Sequence, residues 1–247
     1  FGSIIVIIGV KVSKKKEDAD HPFGHDRLEC LASLALGAIL FFTGAMLAYE
    51  GIDKIYTKAP ISTPGKIALF AAIVSIIAKE GMFWYTKINA NRINSDALRA
   101  EAWHHRSDAL SSVGSLIGVA GAMLGLKILD PIMGCVIGLV IIKVAFDIAK
   151  EAIDKMVDKA CDDETIEKMK KEVHNVDGVK RLDLIKTRMF GTKIYVEIEI
   201  SVDGNLILKD AHAIAEQVHD NIEKNFEYVK HCVVHVNPYG YKHKKKQ

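Results

Sequence analysis

The sequence predicts a multi-span α-helical membrane domain followed by a small soluble α+β domain, and three observations predict it. Apolar residues make up 49% of the 247 and charged residues 26%, so the two kinds must be segregated along the chain. Uncharged runs as long as a bilayer crossing lie before about residue 155. From Asp158 onward charge and alternation take over, which divides a membrane unit at 1–157 from a soluble unit at 158–240. The basic tail at 241–247 is expected to be disordered.

The first residues, Phe1 to Val12, read as the exit half of a span, because Ile4 to Val10 is purely apolar and a lysine cluster follows. Alone the fragment is too short to cross, so the sequence is expected to begin in mid-helix. It lacks the leading Met and preceding basic segment of a signal peptide. Four spans are expected after it. Cys30 to Tyr49 carries no charge and matches the ~20 residues that a helix needs to cross ~30 Å of hydrocarbon. Pro64 to about Tyr85 is interrupted by Lys79 and Glu80, a pair expected to face the bundle interior or snorkel. Ala109 to Leu126 is rich in the small residues that allow helices to approach closely, and Ile132 to Ile142 extends past Lys143. Lys11, Lys14, Lys15 and Lys16 on one loop, with Lys87, Arg92 and Arg99 on another, put both loops and the soluble unit on the cytosolic side.

The soluble unit reads as αββαβ. Ile166, Met169, Val173 and Val176 form a helical stripe that ends at the turn signal Asp177-Gly178. A strand is expected near Leu182 to Thr187. In a second, Ile194, Val196, Ile198, Ile200 and Val202 alternate with Tyr195, Glu197, Glu199 and Ser201, so one face should be buried and the other exposed. Asp203-Gly204 ends it. Ala211, Ile214, Ala215, Val218, Ile222 and Phe226 make the apolar face of a helix that leaves His212, Glu216, His219 and Glu223 on its polar face, and a last strand runs near His231 to Asn237. Two layers, a sheet and its helices, account for this pattern.

A net charge of +2 and the absence of a recognition motif exclude nucleic acid as the partner. Cys30, Cys135, Cys161 and Cys232 stand singly, without CxxC spacing, and read as reduced thiols rather than a disulfide framework. A soluble metalloenzyme would need an open metal position and a general base, and neither is marked.

Three clusters carry candidate metal chemistry. His104 and Asp108 are four apart at the head of the third uncharged run, so a helix places imidazole and carboxylate on one face as two ligands of a tetrahedral site. A capping pair at the membrane interface is the plain alternative, set against the cost of a carboxylate inside a span. His105 points elsewhere and is assigned a structural role. Asp18, His21 and His25 form a compact loop, since Pro22 disfavours helix at His21 and Gly24 loosens the turn; they could close on a metal or be a solvated loop. His235, Asn237 and His231 share one strand face, Glu199 lies on another strand and His212 on the helix. Each could equally be a surface residue.

The loop Asp20-His-Pro-Phe-Gly-His25 followed by Leu28-Glu29, the block Ala102-Trp-His-His-Arg-Ser-Asp-Ala-Leu-Ser111 and the closing His235-Val-Asn-Pro238 resemble, in this order and over essentially the whole chain, a cation diffusion facilitator. The resemblance implies a six-helix membrane bundle, of which the first helix and most of the second are not in this sequence, and a ferredoxin-like cytosolic domain in a homodimer. It implies a transport site that includes His104 and Asp108, a cytoplasmic-loop metal site at Asp18, His21 and His25, and cytosolic ligands His212 and His235, with Glu199, Asp183 and Asn237 in further ligand positions. It also implies a charged contact between Arg27 and Asp158.

The implied activity is export of a divalent cation across a lipid bilayer, in a cell membrane, in exchange for protons. Zn²⁺ is the expected ion and Cd²⁺, Co²⁺, Fe²⁺ or Mn²⁺ the range, because mixed nitrogen and oxygen donors argue against a purely hard-oxygen site. A metal-responsive membrane regulator without transport is the alternative reading.

Overall fold

The structure, a computed structural model, describes residues 2–57, 66–123, 126 and 128–240. The expected disordered tail at 241–247, Phe1, and Pro64 at the head of an expected span lie outside the described residues. The chain divides into two compact units, Phe1–Ile153 and Asp154–Gln247.

The first unit contains helices α1 (Gly2–Ser13), α2 (Leu28–Thr57), α3 (Lys66–Arg92), α4 (Asp96–Met123) and α5 (Leu129–Met156). Among the described residues, α2 and α5 are long and apolar enough to cross a membrane. α3 and α4 have 27 and 28 residues, so each reaches about 40 Å at ~1.5 Å per residue, but charged side chains interrupt them. The turn from α3 to α4 is tight because Asn94 takes a left-handed conformation, φ 51°, which Asn tolerates better than most residues. Ser95 then donates to the buried Glu29 carboxylate of α2.

Small residues set the helix spacing, above all on α2, where the uncharged run had been read for its length. Gly44 and Gly138 face each other so closely that a Cβ on Gly138 would lie 2.6 Å from the Gly44 carbonyl oxygen. One turn of the contact further, a Cβ on Gly51 would lie 2.6 Å from the Pro131 carbonyl. Lipid tails give helices no hydrophobic reason to associate, so this intimate contact supplies the attraction between α2 and α5. Leu40, Ile137, Ile141 and Ala145 pack beside it.

The second unit contains α6 (Asp163–His174), β1 (Arg181–Phe190), β2 (Lys193–Val202), α7 (Leu208–Asn225) and β3 (Val229–Pro238), the predicted αββαβ order. β1 and β3 extend beyond both of their predicted ends, whereas α6 and α7 begin earlier than their apolar stripes and end before Val176 and Phe226. The sheet order is β1-β2-β3, with β2 antiparallel to β1 and parallel to β3. Asp162 caps α6 by accepting from Thr165 N–H at 2.8 Å. Gly178, φ 93°, turns the chain under Ile214, and a side chain there would be strained and crowded. Met169 and Val173 of α6, Val218 and Ile222 of α7, and Val196, Ile198 and Ile200 of β2 form the core, which gives the two layers of a ferredoxin-like domain.

The alternation in β2 has a different consequence from the one expected. Of the face expected to be exposed, Tyr195 and Ser201 are buried. Tyr195 is covered by the edge of Phe190, at 5.4 Å between ring centroids, and Ser201 donates to Asp183 at 2.6 Å. Only the middle of that face, at Glu197 and Glu199, stays accessible.

Replacing Gly138 by Val forces α2 and α5 apart and should destabilise the helical unit by about 1–3 kcal/mol, the usual cost of overpacking. The check is thermal unfolding of the detergent-solubilised protein, and an unchanged midpoint would show that the contact does not set the spacing.

Candidate functional site

In the helical unit the side chains of interest project from α3 and α4. His104 and Asp108 lie one turn apart on α4, as the spacing predicts. His104 Nδ1 is buried with no hydrogen-bond partner among the described residues, an unmet polar group aimed into the protein. Asp108 Oδ2 lies 2.5 Å from Lys79 Nζ of α3. Lys79 and Glu80 take different partners, because consecutive helical residues point in directions ~100° apart and cannot face each other. Glu80 instead faces Arg106 at 3.9 Å, and the Arg106 guanidinium stacks on the Phe83 ring at 4.4 Å from its centroid. Sequence reading missed Lys79 as the partner of Asp108. The available signal was two opposite charges in two adjacent apolar helices.

His105, assigned a structural role from sequence, is buried on another face of α4 with Nε2 3.8 Å from Glu101 Oε1. Ser3 of α1 donates to the same carboxylate oxygen at 2.5 Å. A second buried polar group therefore joins α1 to α4. Further along α4, Ser111 and Ser115 line a shallow cleft with Glu50, Lys54 and Asp130, and Lys54 pairs with Asp130 at 3.1 Å.

The structure brings Asp18, His21 and His25 together between α1 and α2, each offering a ligand atom within 4.8 Å of the others. Asp18 Oδ1 accepts from the His21 backbone N–H at 2.9 Å and lies 3.0 Å from His21 Nδ1, while Oδ2 lies 3.6 Å from His25 Nε2. Gly24, φ 87°, makes the fold-back possible. The ammonium of Lys15, 2.6 Å away, and next the His21 ring hold the Asp18 carboxyl far below the usual carboxylate range. His25 is buried, and its Nδ1 has no hydrogen-bond partner among the described residues.

In the second unit the parallel register sets Glu199 directly beside His235, and Ser201 beside Asn237. His212 is exposed on α7. Asp183 is engaged by neighbours: Arg181 Nε and Ser201 Oγ donate to it at 2.5 and 2.6 Å, and Asn237 Nδ2 at 3.1 Å. Burial works to raise the Asp183 carboxyl, but the donors from Ser201, Arg181 and Asn237 together hold it below its ordinary value. Neither His212 nor His235 belongs to the groups of three ligand-type side chains that the described residues gather. Those groups are the Asp18 loop and a set at His219, Glu223 and His231 that sequence reading did not assemble. Arg27 stands just before α2 in the first unit, and Asp158 follows α5 in the second with φ 63°.

Residues 1–157 match the family described as Cation efflux transmembrane domain, and residues 161–239 match Cation efflux protein, cytoplasmic domain. The chain belongs to the cation diffusion facilitator family. Among relatives of this family, the manganese efflux system protein MneP of Bacillus subtilis is 33% identical over 96% of this chain and 82% of its own length. A transporter of Methanocaldococcus jannaschii, described as uncharacterized, is 39% identical over 95% of this chain and 82% of its own. A solved structure of the MamM CTD in a cadmium form covers 31% of this chain and 95% of that one, at 21% identity and a TM-score of 0.30. This cation diffusion facilitator is accordingly an integral membrane protein with a cytosolic C-terminal domain, and its family exports metal cations.

The four cysteines are free in the structure, with Cys30, Cys161 and Cys232 buried. Cys232 lies in the core of the cytosolic unit, where burial and then the nearby Glu223 charge push its thiol from 9.0 up to about 12. It is a packing residue, not a thiolate ligand. Because the folded value lies above the unfolded one, the stability this group contributes is complete below pH 9.0 and is lost as pH rises through about 12. Urea unfolding across that window should show a smaller decline in Cys232→Ala than in the native protein. Equal declines would show that the thiol does not titrate with unfolding.

Proposed function

We propose that the protein exports Zn²⁺ from the cytosol in exchange for protons, with His104 and Asp108 as ligands along the path. The observation that supports this reading best is the Lys79–Asp108 pair: a carboxylate inside the helical unit already faces a cation, the tethered ammonium of Lys79. The unpartnered His104 Nδ1 one turn away adds a nitrogen donor. A nitrogen and oxygen pair favours zinc and its neighbours, Cd²⁺, Co²⁺ and Fe²⁺, over ions that prefer oxygen alone. Manganese efflux is named for the relative MneP, so Mn²⁺ is the competing ion. Proton exchange follows from ligand chemistry, since imidazole must be neutral and carboxylate ionised to hold metal, and reprotonation favours release.

The same reading gives Asp18, His21 and His25 a metal in the cytoplasmic loop, and their convergence supports it. It gives His212 and His235 the cytosolic metal, with Glu199 beside His235 as a third donor. Asp183 and Asn237 then act through their hydrogen-bond network, orienting the strand ends, rather than as first ligands. Arg27 and Asp158 would form the charged contact that couples the units of a homodimer. Zinc on the cytosolic domains would favour their closer arrangement.

In proteoliposomes, Asp108→Asn should abolish zinc-dependent proton flux in a folded protein. Lys79→Met should bind zinc more tightly and export it more slowly, because no ammonium then competes for Asp108. Native flux in Asp108→Asn would remove the site from the path, and proton flux driven by Mn²⁺ but not by Zn²⁺ would correct the ion. Spin labels at the exposed Lys224 should report a shorter distance across the dimer with zinc than with chelator. Superimposable distributions, or no intersubunit signal, would sink the regulatory part.

A further inference from the structure

The cytosolic unit contains a second cluster of ligand-type side chains, separate from His212, His235 and Glu199. His219 and Glu223 lie four apart on one face of α7, and His231 lies near the start of β3. All three offer a ligand atom within 4.8 Å of the others.

The backbone of Cys232 organises them. β3 is an edge strand, and Cys232 sits beside Val196 of β2 in the parallel register. Its N–H donates to Glu223 Oε1 at 2.9 Å, and its carbonyl oxygen lies 2.6 Å from His219 Nδ1. Both backbone groups are taken by α7, so they point away from β2 along the open edge of the sheet. The edge is closed by a carboxylate and an imidazole.

This arrangement decides which atom of each ring is available. A carbonyl oxygen can only accept, so His219 Nδ1 carries the hydrogen, and in the neutral ring Nε2 carries the lone pair. That lone pair lies 3.4 Å from Glu223 Oε1, itself an acceptor. With the ring neutral, two acceptors face each other, and the separation is longer than the ~2.7–2.9 Å of a charge-assisted hydrogen bond. His231 Nδ1 lies 3.1 Å from the same oxygen. Ligand bonds of ~2.0–2.1 Å give a tetrahedral site an edge of about 3.3 Å, which both separations match. The Nδ1–H to carbonyl bond of His219 is also the arrangement that orients metal-binding imidazoles.

We propose that His219 Nε2, His231 Nδ1 and the Glu223 carboxylate bind a divalent transition metal of the zinc class. Two nitrogens and one carboxylate exclude Mg²⁺ and Ca²⁺, which take oxygen sets. The fourth position faces solvent, since His231 is 54% exposed and the other two about one-third, at 33% and 32%. The ion therefore exchanges with the cytosolic pool, and it clamps α7 to the edge of β3. The register separates this site from the one proposed for His235: His235 lies beside Glu199 at the β2–β3 seam, whereas this cluster lies at the outer edge. The assignment does not depend on which ion crosses the membrane.

The test uses the full chain in detergent, with bound zinc counted by equilibrium dialysis. His231→Gln should lose one zinc per chain, both in the native background and in His212→Ala/His235→Ala. Glu223→Gln keeps an oxygen for the Cys232 N–H but removes the charge, and should weaken the same zinc by at least about tenfold. Zinc should raise the thermal midpoint of the cytosolic unit less in both variants, with the metal-free midpoints unchanged. Full zinc content in His231→Gln would overturn the site. So would a loss seen only while His212 and His235 are intact, which would make His231 an accessory of that set.

Discussion

The close approach of α2 and α5 is the contact on which the helical unit depends. Hydrocarbon solvates leucine as well as another helix does, so association in lipid rests on contact area and interhelical polar bonds. Glycine at 44, 51 and 138 brings backbone against backbone, and Cys135 Sγ lies 3.6 Å from the Ala48 carbonyl oxygen in the same seam. A single added Cβ would strike a carbonyl oxygen that no rotamer change can move. The seam also positions Ile137, which packs beneath Gly114 of α4 one turn and a half beyond Asp108. The spacing of α2 and α5 therefore reaches the helix that carries the candidate ligands.

Charge placement imposes a second constraint on the same helices. Among the described residues, three ionisable side chains between helices are matched: Asp108 with Lys79, Arg106 with the Phe83 face and Glu80, Asp130 with Lys54. A matched pair within a poorly polarisable medium holds together only where the geometry is good, and breaking it leaves an uncompensated charge. The proposed ion path would exchange the Lys79 ammonium for the metal at Asp108, and the ammonium would leave the carboxylate without leaving the protein. Glu101, Ser3 and His105 use the same logic on the α1 side, where they hold two helices together.

In the cytosolic unit the edge of β3 presents the same question in water. An open edge invites pairing with another chain, and natural sheets cover such edges. Here the cover at Cys232 consists of Glu223 and His219, groups that also bind metals, so protection of the edge and a metal clamp draw on the same side chains. Cys232 itself contributes only its backbone and its buried sulfur.

The order of helices and strands and the placing of His104 and Asp108 on one helix face were legible in the sequence, because they depend on run length, period and spacing along one element. The Asp18, His21 and His25 loop was legible for the same reason: Pro22 and Gly24 restrict a short segment locally. Three features were decided only by tertiary structure. Lys79 and Asp108 stand 29 residues apart, and which of the neighbouring charges each would meet depends on how α3 and α4 are rotated against each other. Tyr195 and Ser201 of β2 are buried on the nominally exposed face because Phe190 and Asp183, on the neighbouring strand, reach across the sheet. His219, Glu223 and His231 looked like unrelated surface residues, since one helix spacing and one strand position carry no information about each other. Their meeting depends on α7 crossing the open edge of β3 at Cys232, and a linear sequence records composition along an element but not the angle and register at which two elements pack.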